Sequence, residues 1–388
     1  MVLHGAAGRS DTLRAMSHGL APDLRRPHGN PWPGVRPWLL MFTAAVALRA
    51  AYAWAATGAH PRPVADAAAC DAVAWSLARG AGFSLEGAGG TLPTASVAPV
   101  LPWITSLLYR VAGHDTFAAA LLGCTIGGLV PLVLAALATR TFGSASGRLA
   151  GWLAVVHPLL VCSSGSLFAE TPFAVTLLLA LLLSAEWVKS PRSGRAFGTG
   201  IAWGLAALTR STALLLPVLV AAWAWVPLGL TLPARGRLRQ VALLLLGLAL
   251  AVGPWTLRNA LVMRAFVPVD TGPGSALPAG DDAQVWGAPA VSAAHVADPL
   301  LLGSAVAIPL ALWGLSLSLR GPRRWFQSLG LWAILYLTGL ALLFPGGLRA
   351  RLPVEPLVLL FAAAGLDDLW RRLRLRRSGL RLVGRRSD

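Results

Sequence analysis

Two aspartates follow the first long apolar segment of the chain, and their spacing suits acid–base chemistry. Asp66 and Asp71 lie five residues apart. If residues 66–79 form a helix, Asp66 shares a face with Cys70, and Asp71 is offset from that face. Asp66 could then point into a cleft and accept a proton from a hydroxyl, while Asp71 faces water. Alternatively, Asp66 is only the N-cap of the helix, because aspartate is a favoured capping residue.

A third acid, Glu170, opens another apolar run. It is followed by Thr171 and Pro172. This order also suits the first turn of a helix, where the helix dipole favours an anion. The alternative is a functional role, because two carboxylates such as Asp66 and Glu170 can act together in general base catalysis or can hold a divalent cation. A divalent metal ion is therefore the one cofactor that the acids suggest.

Four arginines, Arg210, Arg258, Arg349 and Arg351, occur where apolar runs break or end. The planar guanidinium fork matches the geometry of a phosphate group, so several such arginines suggest a phosphate site. The alternative is that each side chain lies along its apolar neighbours and places its charge among lipid headgroups.

Other catalytic patterns are absent from the sequence. It contains no P-loop, no G-x-G-x-x-G after a strand, no H-E-x-x-H and no G-x-S-x-G. The three cysteines are scattered and form no C-x-x-C pair. Neither a cysteine metal site nor a disulfide framework is therefore expected.

The composition predicts that membrane helices position these residues. The chain has 388 residues, of which 56% are apolar and 13% charged, whereas soluble domains carry about 25% charged residues. Apolar runs of about 18 residues or more indicate membrane spans, and the fold class is all-α with about 10–12 transmembrane helices. The stretch 99–112 is short for a span and could lie in the interface. The predicted spans are 38–56, 117–139, 149–166, 171–188, 197–209, 212–230, 240–256, 299–319, 325–344 and 353–370.

Arginine clusters between the spans predict the orientation. They fall in alternate loops, which the positive-inside rule places in the cytoplasm. The net charge of +17 is thus explained by topology, and no nucleic acid partner is expected. Loops 57–98 and 257–298 are then external and cover the same face, so a shared cleft between them is expected. The clusters lie at 140–148, 189–195, 235–239, 320–324 and 371–386.

The same pattern divides the chain into three parts. Residues 1–37 form a polar, basic tail that is expected to be disordered. Residues 38–370 form the transmembrane domain, and residues 371–388 form an Arg-rich cytoplasmic tail.

Several short motifs follow one another in a specific order. Asp66 precedes a Leu-x-x-Gly-x-Gly-Phe run at 77–83, and the motifs that follow are Pro99 with Pro102, Leu167–Glu170, Gly204–Arg210, Pro254–Asn259, Phe266–Val269 and Arg349–Pro356. Over roughly 40–370 this order resembles the GT-C type integral membrane glycosyltransferases. Within them it is similar to the branch of protein O-mannosyltransferases and aminoarabinose transferases. Two positions depart from that branch, because Cys70 replaces a tyrosine and Val97 replaces an arginine.

The resemblance implies a helical membrane fold with juxtamembrane helices in the first external loop. It implies transfer of a sugar from a polyprenyl-phosphate-linked donor to a lipid, glycan or protein acceptor, at the external face of a bacterial inner or plasma membrane. Asp66 is then the catalytic base or a metal-proximal carboxylate, with Glu170 as the second acid. The four arginines would steady the leaving phosphate. The residues that the resemblance places in the substrate cleft are Asp71, Pro99, Pro102, Trp255 and Asn259.

Two other functions remain open from the sequence. A lipid-carrier flippase or small-molecule transporter would bury ionisable groups in mid-span, and Arg49 is the one obvious interior candidate. An inactive paralogue acting as a scaffold would account for the departures at Cys70 and Val97.

Overall fold

The computed structural model describes residues 34–58, 61, 63, 66–87, 90–225, 232–272, 306–318, 324–343 and 352–384. Helices dominate these residues. In chain order the elements are α1 Arg36–Thr57, α2 Asp66–Ala78, β1 Ser84–Gly87, β2 Gly90–Pro93, α3 Val100–Ala112, α4 Thr116–Phe142, α5 Ser144–Val156, α6 Pro158–Cys162, α7 Glu170–Lys189, α8 Ser193–Thr209, a 3₁₀ turn Ser211–Leu215, α9 Leu216–Trp223, α10 Ala234–Met263, α11 Val306–Ser318, α12 Arg324–Leu343 and α13 Glu355–Gly384.

Four helices of the described residues, α1, α4, α7 and α10, are long and apolar enough to cross a membrane. They coincide with four predicted spans. On α10 the leucines Leu246, Leu250, Leu257 and Leu261 are exposed on the protein surface. Such a surface is stable in lipid but not in water. The chain is therefore an integral membrane protein, and the total of about ten crossing helices stays a prediction.

The predicted span 149–166 is not one helix. His157 is extended, with φ −64° and ψ 119°, and separates α5 from α6. Pro158 causes the break, because proline lacks an N–H and disfavours helical conformation in the residue before it. The predicted span 212–230 likewise starts as a 3₁₀ turn followed by the short helix α9. Residues 226–231 lie outside the described residues.

The juxtamembrane region contains α2, α3 and a hairpin. The helix α3 exposes Trp103, Leu107 and Val111 on one side, and it buries Thr105 and Tyr109 on the other. This amphipathic pattern suits a helix that lies in the membrane interface. The predicted juxtamembrane helices are therefore present, with α2 inside loop 57–98 and α3 directly after it. The antiparallel pair of β1 and β2 was not predicted.

Small residues allow α8 and α10 to pack closely. A Cβ added at Gly200 would lie 2.0 Å from the Leu244 carbonyl oxygen, and one added at Gly247 would lie 2.3 Å from the Phe197 carbonyl oxygen. Contacts of this kind let membrane helices approach without a side chain between their backbones. Because Gly204 in turn meets Ala251, the two helices run in the same direction.

The helix ends that carry the arginine clusters meet at one end of the bundle. Arg140 at the end of α4 pairs with Glu186 near the end of α7, and Arg195 at the start of α8 donates to the Glu186 carbonyl. Trp187 also donates to Gln240 near the start of α10, at 3.0 Å. Glu170 and the last turns of α8 and α10 therefore lie at the opposite end, which we call the acid end.

Candidate functional site

Asp66 is the first residue of α2 and is partly exposed. Its neighbour Ala67 belongs to the same buried apolar cluster as Leu167 and Phe168. The start of α2 therefore packs close to the segment that leads into Glu170. The structure thus brings the neighbourhoods of the two sequence-predicted acids together at the acid end of the bundle.

Glu170 is the first residue of α7 and forms an ion pair with Arg210. The Oε1–Nη1 distance is 2.8 Å, and the side chains are 2% and 30% exposed, respectively. Arg210 ends α8 in an extended conformation, with φ −154° and ψ 120°, which turns its side chain out of the helix. Glu170 is therefore not an N-cap on the surface but a buried carboxylate whose charge is balanced by an arginine.

The two acids do not form a ready-made metal site. Within the described ranges, no three His, Cys, Asp or Glu side chains lie close enough together to hold a metal ion. Divalent cations of the Mg²⁺ or Ca²⁺ type prefer about six oxygen ligands or more. A guanidinium beside Glu170 would also repel a cation, and a divalent cation held by Asp66 and Glu170 therefore stays a prediction.

A third acid that the sequence did not single out, Asp270, lies next to this pair. The Ser211 hydroxyl donates to Asp270 Oδ1 at 2.9 Å, and the Gly272 amide donates to the same atom at 3.0 Å. Burial raises the pKa of the Asp270 carboxyl, while its hydrogen bonds and the Arg210 charge act in the opposite direction. The signal available in the sequence was one acid between Pro268 and Gly272.

Arg258 connects α10 to the hairpin region, by which we mean the segment 83–95 that carries β1 and β2. Nη1 donates to the Thr94 carbonyl at 2.7 Å and to Asn259 Oδ1 at 3.0 Å, and Nη2 donates to the Phe83 carbonyl at 2.9 Å. The guanidinium also lies over the rings of Phe83 and Trp255. Among its contacts with described residues, Nε–H and one Nη2–H find no acceptor. Arg258 thus fixes the segment 83–95, and part of its fork stays available.

Trp255 and Asn259 hold the chain that follows α10. Trp255 Nε1 donates to the Val269 carbonyl at 2.7 Å, and Asn259 Nδ2 donates to the carbonyls of Val267 and Val269 at 3.0 and 3.1 Å. The Thr271 amide donates to the Ala95 carbonyl at 2.9 Å. The described parts of the two predicted external loops therefore lie in direct contact.

Asp71 packs between α2 and the end of α3. It accepts hydrogen bonds from the Tyr109 hydroxyl and is 3.0 Å from His114 Nε2. Its side chain is 13% exposed, so it does not face open water as its offset predicts. The His114 ring stacks on Trp75 with a centroid distance of 4.9 Å. These contacts make Asp71 part of the packing between the juxtamembrane helices.

The other sequence-predicted positions of this region are also built into the packing. Pro99 is the N-cap residue of α3, and Pro102 is buried in its first turn. Val97 is buried with Phe83 in one apolar cluster, where an arginine would have to bury its charge. Cys70 is buried in α2, and burial raises the pKa of its thiol, which leaves it unreactive.

Arg49 is fully buried in α1, but its partners are neutral. Nη1 donates to the Val155 carbonyl at 3.3 Å and Nη2 to the Ala154 carbonyl at 3.0 Å, while Nε donates to Ser164 Oγ at 3.2 Å. The two carbonyls are at the end of α5, where a helix dipole favours a cation. Arg49 therefore stabilises the break between α5 and α6, which weakens its interpretation as a transport residue.

Arg349 and Arg351 lie outside the described residues. Of the four predicted phosphate-binding arginines, the structure thus places Arg210 and Arg258, and both are at the acid end of the bundle.

Comparison with known families gives one match. The family of dolichyl-phosphate-mannose-protein mannosyltransferases matches residues 96–256. This range includes α3, the Glu170–Arg210 pair and the first part of the Pro254–Asn259 motif. No curated protein matches the chain in sequence.

Solved structures with a similar fold are membrane glycosyltransferases. ArnT from Cupriavidus metallidurans bound to undecaprenyl phosphate has a TM-score of 0.61 and 17% identity, and the match covers 90% of this chain and 63% of ArnT. The oligosaccharyltransferase of Archaeoglobus fulgidus, in complex with Zn and sulfate, has a TM-score of 0.63 and 14% identity, with 89% and 51% covered. The archaeal oligosaccharyltransferase AglB from Archaeoglobus fulgidus, in complex with an inhibitory peptide and a dolichol-phosphate, has a TM-score of 0.59 and 12% identity, with 89% and 52% covered.

The chain spans about half to two thirds of the length of these proteins. The resemblance that the order of sequence motifs suggested is therefore confirmed, and the chain has the fold of the GT-C type membrane glycosyltransferases.

Proposed function

We propose that this protein is a glycosyltransferase that moves a sugar from a polyprenyl-phosphate-linked donor to a hydroxyl of a lipid, glycan or protein. The observation that carries the proposal is the clustering of Asp66, the Glu170–Arg210 pair and Arg258 at one end of the bundle. In support, ArnT and AglB, which share this fold, were solved with undecaprenyl phosphate and a dolichol-phosphate.

Asp66 is the proposed general base, because it is a partly exposed carboxylate at the acid end. It accepts the proton of the acceptor hydroxyl while that oxygen attacks the anomeric carbon of the sugar. The new carbon–oxygen bond forms as the bond between the anomeric carbon and the phosphate oxygen breaks. The electron pair leaves with the polyprenyl phosphate, so the phosphate gains one negative charge while the proton neutralises Asp66.

The proposed role of the arginines is to stabilise that leaving phosphate. Arg258 is held by the carbonyls of Phe83 and Thr94, so its remaining N–H groups are fixed in direction before the donor binds. Arg210 is oriented by Glu170. Arg349 and Arg351 complete the proposed set. Pre-oriented donors are effective because they need no reorganisation as charge develops.

The acid end is proposed to face the outside of the cell. Arginine clusters in the loops at the other end support this orientation, because such clusters are retained in the cytoplasm. In a bacterium this places the site at the external face of the inner or plasma membrane. The exposed apolar surface of α3 beside the site suits a substrate that approaches within the membrane interface.

The test is reconstitution of the full chain in nanodiscs with undecaprenyl-phosphate-linked mannose and aminoarabinose, and with membrane extract as acceptor. We expect label to move from the carrier lipid into lipid, glycan or protein. Mass spectrometry of envelope glycans and glycolipids in a deletion strain then identifies the missing product. No transfer from these donors, together with an unchanged envelope in the deletion strain, would overturn the proposal.

A further inference from the structure

We propose that Asp270 is a positioning residue, which holds Arg210 and thereby Glu170 in place through the Ser211 hydroxyl. The inference rests on the proposed function and adds a residue that the sequence motifs do not include. Asp270 lies in the chain after α10. The geometry of the proposed site therefore depends on this segment as well as on α7 and α8.

The geometry is a short series of direct contacts. Glu170 Oε1 lies 2.8 Å from Arg210 Nη1, Ser211 follows Arg210 in the chain, and the Ser211 hydroxyl donates to Asp270 Oδ1 at 2.9 Å. The Gly272 amide donates to the same oxygen at 3.0 Å. The side chain of Arg210 is thus held by the Glu170 carboxylate, and its backbone is held by the hydrogen bond of the next residue, Ser211, to Asp270.

The backbone at Arg210 explains why such a contact is needed. Arg210 is extended between the last turn of α8 and the 3₁₀ turn, so helical hydrogen bonding does not fix its direction alone. The Ala213 amide donates to the Arg210 carbonyl at 3.0 Å, which closes the turn that Ser211 begins. A bond from Ser211 to a buried carboxylate therefore sets the angle at which this turn leaves α8.

Asp270 is itself anchored by the site. The chain on its N-terminal side is bound by Trp255 and Asn259, and on its C-terminal side Thr271 donates to Ala95. Asp270 therefore links α10 and the hairpin region to the turn that carries Arg210. The negative charge also lies near the Arg210 guanidinium, which it attracts.

Two substitutions distinguish the effect of the Ser211–Asp270 hydrogen bond from the effect of the Asp270 charge. Asp270→Asn keeps an oxygen that can accept from Ser211 but removes the charge, and Ser211→Ala removes the hydroxyl alone. For both we expect kcat for transfer to fall by about tenfold or more, because small displacements of reacting groups are costly. The donor KM should change by less than about twofold, since the phosphate arginines remain. Asp270→Glu should recover part of the rate.

A double-mutant cycle tests whether the two residues act as one unit. The combined Ser211→Ala, Asp270→Asn variant should lose much less than the product of the single losses, because Ser211→Ala removes the hydrogen bond that Asp270→Asn weakens by replacing a charged acceptor with a neutral one. Asp368→Asn is the matched control. Asp368 pairs with Arg372 and accepts a hydrogen bond from Trp313 on α11. Because these contacts are far from the acid end, the kcat of the Asp368→Asn variant should equal that of the wild type.

Hydrogen–deuterium exchange gives a readout that needs no donor. Asp270→Asn and Ser211→Ala should speed exchange at residues 210–215 and at the start of α7, and Asp368→Asn should not. Unchanged exchange at both places overturns the inference, whatever the activity. Faster exchange with an unchanged kcat also overturns it. If the wild type transfers no sugar at all, the proposed function fails, and the exchange experiment alone decides whether Asp270 positions this turn.

Discussion

Arg210 Nη1 lies 2.8 Å from Glu170 Oε1, and this ion pair joins the residue that ends α8 to the residue that begins α7. The pair is unequal, because Glu170 is almost fully buried while Arg210 is about one third exposed. Loss of the partner should therefore cost more free energy for Glu170, which water cannot reach, than for Arg210, which water can solvate. This inequality leads to the first testable expectation.

Removing Arg210 should destabilise the protein more than neutralising Glu170. Arg210→Ala removes the guanidinium that lies 2.8 Å from a buried carboxylate, and breaking buried pairs in this way costs about 3–5 kcal/mol. Glu170→Gln leaves an arginine that can reach solvent, so it should cost less. The midpoint of thermal unfolding in mild detergent measures both. Equal midpoints for the two variants would show that the pair is not buried as described.

Gly200→Ala should destabilise the contact between α8 and α10. The added methyl group would lie 2.0 Å from the Leu244 carbonyl oxygen, whereas a Cβ at Gly198 meets nothing within 4 Å. Gly198→Ala is therefore the matched control on the same helix. It should be neutral or stabilising by up to about 1 kcal/mol, the difference in helix propensity. If both variants melt alike, the close approach of the two helices is wrong.

Asp270 should make stability depend on pH in a defined direction. Its pKa is raised by burial above the ordinary value of 3.8, so the folded state binds the proton more tightly than the unfolded state. The resulting stabilisation is present at low pH and is lost as pH rises through the raised pKa. The stability of wild type relative to Asp270→Asn should therefore fall as pH rises from 3.8 through the raised pKa, as measured from thermal midpoints. A rise over this range would contradict the sign.

Arg258→Lys should lower transfer activity although it keeps the charge. Lysine cannot donate to the Phe83 and Thr94 carbonyls and still direct N–H groups at a phosphate, because it lacks the planar fork. The loss should appear chiefly as weaker donor binding, with acceptor binding little changed. Binding of undecaprenyl phosphate by native mass spectrometry checks this. Donor affinity equal to wild type in both Arg258→Lys and Arg258→Ala would leave Arg258 as only a structural link to the hairpin.

Features that depend on local sequence could be predicted. The spans at α1, α4, α7 and α10 follow from apolar runs of sufficient length. The break at His157 was not predicted although Pro158 explains it, because the apolar run 149–166 continues through the break. The short apolar stretch 99–112 coincides with α3, whose one-sided apolar surface suits the membrane interface.

Features that depend on contacts between distant segments could not be predicted. The sequence marks Glu170 and Arg210 as separate candidates, but no spacing rule reveals that they pair. Asp270 was missed because its partners, Ser211 and Gly272, come from a turn and a loop without periodicity. Asp71 was expected to face water, since the helix position alone cannot show that Tyr109 and His114 cover it.

The central claim is that Asp66 accepts the proton of the acceptor, and one comparison tests it most directly. The transfer rate is measured for Asp66→Asn and Asp71→Asn in the same nanodiscs, with wild-type folding and undecaprenyl phosphate binding confirmed for each. We expect Asp66→Asn to lose about 10²–10⁴-fold in rate, the usual contribution of a general base. Asp71→Asn should lose far less, because its hydrogen bonds are structural. Full activity in Asp66→Asn would leave Asp66 as only the start of a helix and would contradict the account.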